Sequence, residues 1–340
     1  MLLPPSRLPV ALAVGLFALG ALAALSLGLG AFPVAPRELA SVLWTALAGG
    51  ASGVGETTRA IVMEVRGPRI VAALVVGAAL GAAGAAYQNV FRNPLVSPDI
   101  LGVSSGCALG AVIAILAGLS GAAMQGLAFA GGLAAAGLVL AIGSLVRGHD
   151  RVLTLVLTGV VVGSLFSAGV AFAKAIADPY NQLPSITYWL LGSFGGLLPK
   201  DVMVAVPLML LAIVPLAMLR WRVNVLALPD DEARSLGVDV ARTRLAVIAA
   251  ATLATSTAVA MVGVIGWVGL VVPHAARLLA GPSFARVLPL SALIGAAFLL
   301  VVDTLCRTVV HGELPPGVVT ALVGTPTFIA LLAASSRRAP

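Results

Sequence analysis

Long apolar stretches alternate with short polar breaks along most of this chain. A helix needs about 20 apolar residues to cross the hydrocarbon core of a bilayer. On that template ten spans are predicted, at 8–30, 69–88, 101–119, 122–146, 152–175, 201–219, 243–262, 266–280, 286–304 and 317–334. Only "GLSG" divides the third from the fourth, and only "GVIG" the seventh from the eighth. The first run, "RLPVALAVGLFALGALAALSLGLG", outlasts the apolar region of a secretory signal, which predicts a retained first span.

Three segments break the pattern. Residues 31–68 carry Pro33, Pro36, Glu38 and Glu56 and are predicted to form an outer loop with a short helix. Residues 177–200 combine turn formers with Tyr188 and Trp189, rings suited to a membrane interface. Residues 228–244, "LPDDEARSLGVDVARTR", are the most charged run. There Asp230, Asp231 and Glu232 suit the positive end of a short helix, which Gly237 would stop. A solvated loop reads the same way, but the position between two spans also suits a knob for a cytoplasmic partner. Beyond the second span, Asn89, Arg92 and Asn93 precede Pro94 and Pro98, which predicts irregular backbone shielded by protein or water.

Composition agrees with the pattern. The chain is 60% hydrophobic and 10% charged, where soluble domains carry about a quarter charged residues. Mean hydropathy is +1.10. So much apolar surface does not fit inside a soluble core of this length. The fold class is therefore an all-α polytopic membrane protein, with 1–340 as a single transmembrane domain. Cys107 and Cys306 lie in apolar surroundings and read as packing residues. A net charge of +7 suits loops beside an anionic leaflet better than nucleic acid.

Charge also orients the chain. With both termini cytoplasmic, the inner side holds Arg7, Arg92, Arg147, Arg151, Arg220, Arg222, Arg234, Arg242, Arg244, Arg277, Arg286, Arg337 and Arg338. The outer side then holds Arg37, Arg59, Arg66, Arg69, Lys174, Lys200 and Arg307. The positive-inside rule favours this arrangement.

Polar groups near the membrane are few. Pro273 removes a backbone donor from the eighth span, and His274 and Arg277 follow three apart on one face. A packed structural histidine is the plain reading, and a role in conformational change the sharper one. Asp303 and Arg307, four apart, are placed to pair on one helix face. Glu313 precedes the turn "LPPG" on the outer side, either solvated or available to a partner. His149, His274 and His311 have no carboxylate at catalytic spacing, which argues against a triad or zinc site. The lysines, Lys174 and Lys200, follow no phosphate-loop pattern, so any ATP-driven work needs another polypeptide.

Five stretches together resemble one family. They are "VRGPRIVAALVVGAALGAAGAAYQNVFRNPLVSPDILGVSSG" (65–106), "YWLLGSF" (188–194), "EARSLGV" (232–238), "GVIGWVGLVVPHAARLLAG" (263–281) and "LPLSALIGAAFLLVVDTLCRTVVHGELPPGVVTALVGTPTFIALL" (288–332). They look like the FecCD-type permease subunit of iron-siderophore, haem and vitamin B12 ABC importers. The resemblance implies a homodimer in a bacterial inner membrane, two ATP-binding subunits on the cytoplasmic side, and a periplasmic binding protein above. It implies ATPase coupling through Asp231, Glu232, Arg234, Leu236, Gly237 and Val238. It makes Arg59, Arg66 and Arg69 candidates for docking the binding protein, with Glu313 as a further outer-face candidate. Lys174, Tyr188 and Trp189 become candidates for lining the pathway. No cofactor is expected on this chain, and ATP and Mg belong to the partner subunit.

Two departures stand out. The family commonly has Arg-Leu-Pro-Arg where this chain has Arg66-Gly67-Pro68-Arg69, and smaller residues where it has Tyr87-Gln88-Asn89. Haem or a ferric siderophore leads the expected cargoes, followed by cobalamin and by molybdate or tungstate; no methionine or histidine ladder singles out haem. The rival classes are an ion-coupled secondary transporter and a membrane-embedded enzyme. The first needs ionisable groups at mid-membrane, whereas nearly all charges here fall in loops or near helix ends. The second needs convergent catalytic groups, which the sequence does not display.

Overall fold

A computed structural model describes residues 4–30, 32–49, 53–146, 151–309 and 312–336. Arg147, His149, His311, Arg337 and Arg338, named above, lie outside the described residues. Among the described residues, fifteen α-helices follow in order. They are α1 (Leu8–Gly28), α2 (Pro36–Ala48), α3 (Glu56–Ala60), α4 (Gly67–Val90), α5 (Val103–Leu116), α6 (Gly121–Leu145), α7 (Arg151–Ile176) and α8 (Gln182–Leu191). The rest are α9 (Pro199–Met218), α10 (Arg220–Val225), α11 (Asp230–Ser235), α12 (Val240–Val262), α13 (Val268–Ala280), α14 (Phe284–Cys306) and α15 (Pro316–Ser336).

Each predicted span meets an apolar helix. Among the described residues, seven helical stretches are long and apolar enough to cross a bilayer, and three shorter ones occupy the remaining positions. The short ones have local causes. Gly102 adopts a left-handed φ of 69° and ends the 3-10 turn Pro98–Leu101, so α5 starts late. Before α13, the chain from Gly263 to Gly266 is not helical, and Trp267 takes a φ of 73°.

The second span departs from expectation. Residues 31–68 are predicted as an outer loop with a short helix, yet the helix is continuous from Glu56 to Val90, with a π turn at Ile61–Arg66. Pro68 explains the turn. Its ring would meet the carbonyl four residues back in a regular helix, and the wider π turn relieves that clash. Gly67 N–H accordingly donates to Val62 O, five residues back. Residues 177–200 also contain a helix, α8, which their turn residues did not suggest.

α4 and α12 form the centre, each with 78% of its most apolar window buried, against 6% for α1. α4 packs on α14, α12, α13 and α9. Small residues permit the contact. A Cβ on Gly77 would lie 2.2 Å from Gly295 O, and one on Gly295 would lie 2.2 Å from Gly77 O. The α5–α6 crossing repeats the device, with 2.3 and 2.2 Å for Gly106 and Gly131.

Candidate functional site

The polar side chains collect at the two ends of the helical bundle. At one end, the first turn of α4 meets the last turns of α1 and α14. Asp303 is fully buried and bridges two guanidiniums, with Arg69 Nε at 2.6 Å and Arg307 Nε at 3.1 Å. Arg69 Nη2 lies 2.5 Å from Glu313 Oε1. Arg307 donates to Leu29 O at 2.8 Å and to Ser26 O at 2.9 Å. Arg66 donates to Leu27 O at 2.7 Å and to Phe32 O at 2.5 Å. These bonds also satisfy carbonyls at the end of α1 that no helical N–H can reach.

This geometry corrects one expectation. Arg66 and Arg69 do not face outward; both are buried and committed to partners within the chain. Of the three arginine docking candidates, Arg59 on α3 is the exposed one. Glu313 keeps 39% of its side-chain surface exposed while paired to Arg69. The spacing of Asp303 and Arg307 announced their pairing, but nothing near them in sequence announced Arg69, 234 positions away.

A groove of about 640 Å³ opens at the same end between α6, α9 and α12. Ser120, Gln125, Trp189, Ser193, Lys200 and Asp201 are among its lining residues. Trp189, a pathway candidate, thus borders open space. Tyr188, beside it on α8, is exposed, and Lys174 lies in the last turn of α7, half-buried.

The opposite end carries α10 and α11. Asp231 and Arg234 pair at 2.9 Å on the exposed face of α11. Leu236 is half exposed just beyond, and Gly237 turns the chain with a φ of 79°. Val238 is buried, and Glu232 faces outward. Sequence reasoning assigned Asp230 only to the helix end, but the structure gives it a larger role. It accepts from Arg92 Nη2 at 2.5 Å and from Arg244 Nη2 at 3.1 Å. Partial burial pushes the Asp230 carboxyl up, but hydrogen bonds and charge from Arg92 and Arg244 outweigh it and hold the group below the usual carboxylate range.

Between the ends, several polar groups bond one another or a backbone carbonyl. Pro273 has no N–H to give Gly269, and Gln88 Nε2 supplies that donor to Gly269 O at 3.3 Å and to Leu270 O at 3.2 Å. Tyr87 OH meets Thr252 Oγ1 at 2.7 Å. The two bulky residues that departed from the family pattern thus tie α4 to α13 and α12. His274 is buried, edge-on to Phe328 of α15. Arg277, one turn on, is half-buried. Cys107 and Cys306 are both free thiols in the core. Among the described residues no cluster of His, Cys, Asp and Glu could hold a metal ion.

A bundle of this kind, with charged ends and an apolar body, is a multi-pass membrane protein. The FecCD transport family matches residues 18–334, and the chain belongs to that family. It is thus a transmembrane subunit of an ABC importer, a class of subunit that does not itself hydrolyse ATP. The cobalamin import permease BtuC of Halobacterium salinarum is 43% identical, covering 82% of this chain and 75% of its own length. The Fe(3+) dicitrate permease FecD of Escherichia coli is 41% identical over 93% of this chain and 95% of its own. A solved metal-chelate type ABC transporter, described as inward-facing, superposes with a TM-score of 0.86 at 34% identity, covering 96% of this chain and 99% of its own. Another relative, 37% identical, is named for molybdate import, so the cargo named differs among the relatives.

Proposed function

We propose that this chain is the permease of an importer for an iron chelate, haem or a ferric siderophore, in a bacterial inner membrane. It works as a type II importer, as a homodimer. Two ATP-binding subunits dock at the α11 end, on the cytoplasmic side, and a periplasmic binding protein docks at the Arg59 end. The likeness to a metal-chelate type transporter along nearly the whole chain carries this reading. The relative named for ferric dicitrate supports iron. The one named for cobalamin favours a second reading, a corrinoid cargo.

The mechanism needs no bond-making by this chain. Nucleotide binding in the partner subunits displaces α11, and differential contacts in two states switch access from one side to the other. The test is uptake into proteoliposomes holding the permease, its ATPase and its binding protein. Haem, a ferric siderophore, cobalamin and molybdate are offered in parallel, with and without ATP. ATP-dependent accumulation of haem or the siderophore is expected. Accumulation of cobalamin or molybdate alone would overturn the cargo, and ATP-independent uptake would overturn the class.

A further inference from the structure

The segment from α10 to α11 is fastened to the core at three points. Arg92, in the turn after α4, donates from Nε to Leu226 O at 2.8 Å and from Nη2 to Asp230 at 2.5 Å. Arg244, in the first turns of α12, reaches the same Asp230 oxygen at 3.1 Å. Asn224 of α10 accepts from Phe284 N–H, at the start of α14, at 2.5 Å. Of the helices so reached, α4 packs against both α12 and α14 at the centre of the fold.

From this geometry we infer that Asp230 is a positioning residue for transport, a pin that passes displacement of α11 to α4 and α12 together. This rests on the reading that a partner ATPase moves α11. Three observations favour a positional over a merely stabilising role. First, Asp230 and Arg92 keep about a third of their side-chain surface exposed, at 35% and 33%, and ion pairs in such settings add little to global stability. Second, Arg92 adopts a φ of 50°, a left-handed conformation that costs a non-glycine residue energy. That strain persists where the guanidinium is directed at both Leu226 and Asp230. Third, Asp230 Oδ1 accepts from both arginines, with Oδ2 a further 3.4 Å from Arg244 Nη2, so α4 and α12 are held at one carboxylate rather than separately.

The test reads motion in the assembled transporter, so cargo does not enter. Single spin labels are placed at Ser235→Cys on α11 or Val71→Cys on α4, and distances between the two copies are measured with and without a non-hydrolysable ATP analogue. Without Asp230 changes, both distances shift on adding the analogue. With Asp230→Asn, the α11 shift persists while the α4 shift falls at least twofold. Asp230→Glu, whose longer carboxylate still reaches both arginines, restores most of it. Should Asp230→Asn fold poorly, Arg92→Gln removes the same link and is expected to decouple α4 likewise. An α4 shift as large as the parent's in either variant overturns the inference. If α11 itself does not move in the parent complex, the docking reading fails, and this inference fails with it.

Discussion

Replacing Asp303 with alanine puts the buried charge cluster to its most direct test. The carboxylate is fully buried, and Arg69 and Arg307 keep only 9% and 10% of their side-chain surface. Removing it leaves two guanidiniums facing each other in a poorly hydrated site. Arg69 retains Glu313, and Arg307 retains the Ser26 and Leu29 carbonyls. Breaking a buried pair by deleting one partner costs about 3–5 kcal/mol. Those surviving contacts place Asp303→Ala toward the lower end of that range. Adding Arg69→Met removes one stranded charge and should recover at least about 1 kcal/mol, within the coupling expected of touching residues. Equilibrium unfolding in mixed micelles, followed by tryptophan fluorescence, reads both changes. A loss below about 1 kcal/mol for Asp303→Ala, the range of exposed pairs, would refute the idea that this cluster is desolvated. So would strict additivity of the two substitutions.

Other outcomes follow from the same structure. Gly77→Ala forces α4 away from α14 and should cost about 1–3 kcal/mol or more by overpacking; Gly126→Ala, which meets nothing within 4 Å, should be neutral in the same unfolding assay. Leu236→Glu, at the exposed tip after α11, should leave the fold intact but lower uptake per ATP hydrolysed; an unchanged ratio removes Leu236 from the coupling surface. Arg59→Glu should weaken capture of the binding protein, read by co-sedimentation with proteoliposomes, whereas conservative changes at buried Arg66 should act on stability first. Because Asp230 sits below the usual carboxylate range, its ion pairs persist as pH falls to about 4, the ordinary value for aspartate, and fail only as pH drops through its own lower value. Nucleotide-driven motion of α4 should therefore be flat between pH 6 and 8, and a midpoint there would contradict the assignment.

The spans were legible because apolar runs of bilayer length have few other uses. All ten predicted positions hold apolar helices, and most predicted ends fall within three residues of the observed ones. The errors have local origins. The predicted span begins at 69, but a π turn at Ile61–Arg66 lets the helix run on through Pro68 from Glu56. α8 was hidden because Pro184, which reads as a turn residue, lies in its first turn, where a proline's missing N–H costs nothing. The candidate site was legible in part. The pairing of Asp303 with Arg307 is written in their spacing, whereas Arg69 reaches Asp303 only through the α4–α14 packing. Likewise Asp230 was visible as a helix-start acid, but its link to Arg92 spans 138 positions. Gln88 stood out in sequence only as a departure bearing on pathway shape, and its partner, the Gly269 carbonyl that Pro273 leaves without a donor, lies 181 positions away.

The interlocked glycines set a limit on how this molecule can change shape. Where backbone meets backbone across α4 and α14, and again across α5 and α6, no side chain intervenes that could swing to a new rotamer. Close-packed contacts of this kind do not deform by degrees. Each pair therefore travels as one block through any transport cycle. Relative movement is left to contacts made by side chains, which can exchange one set of neighbours for another.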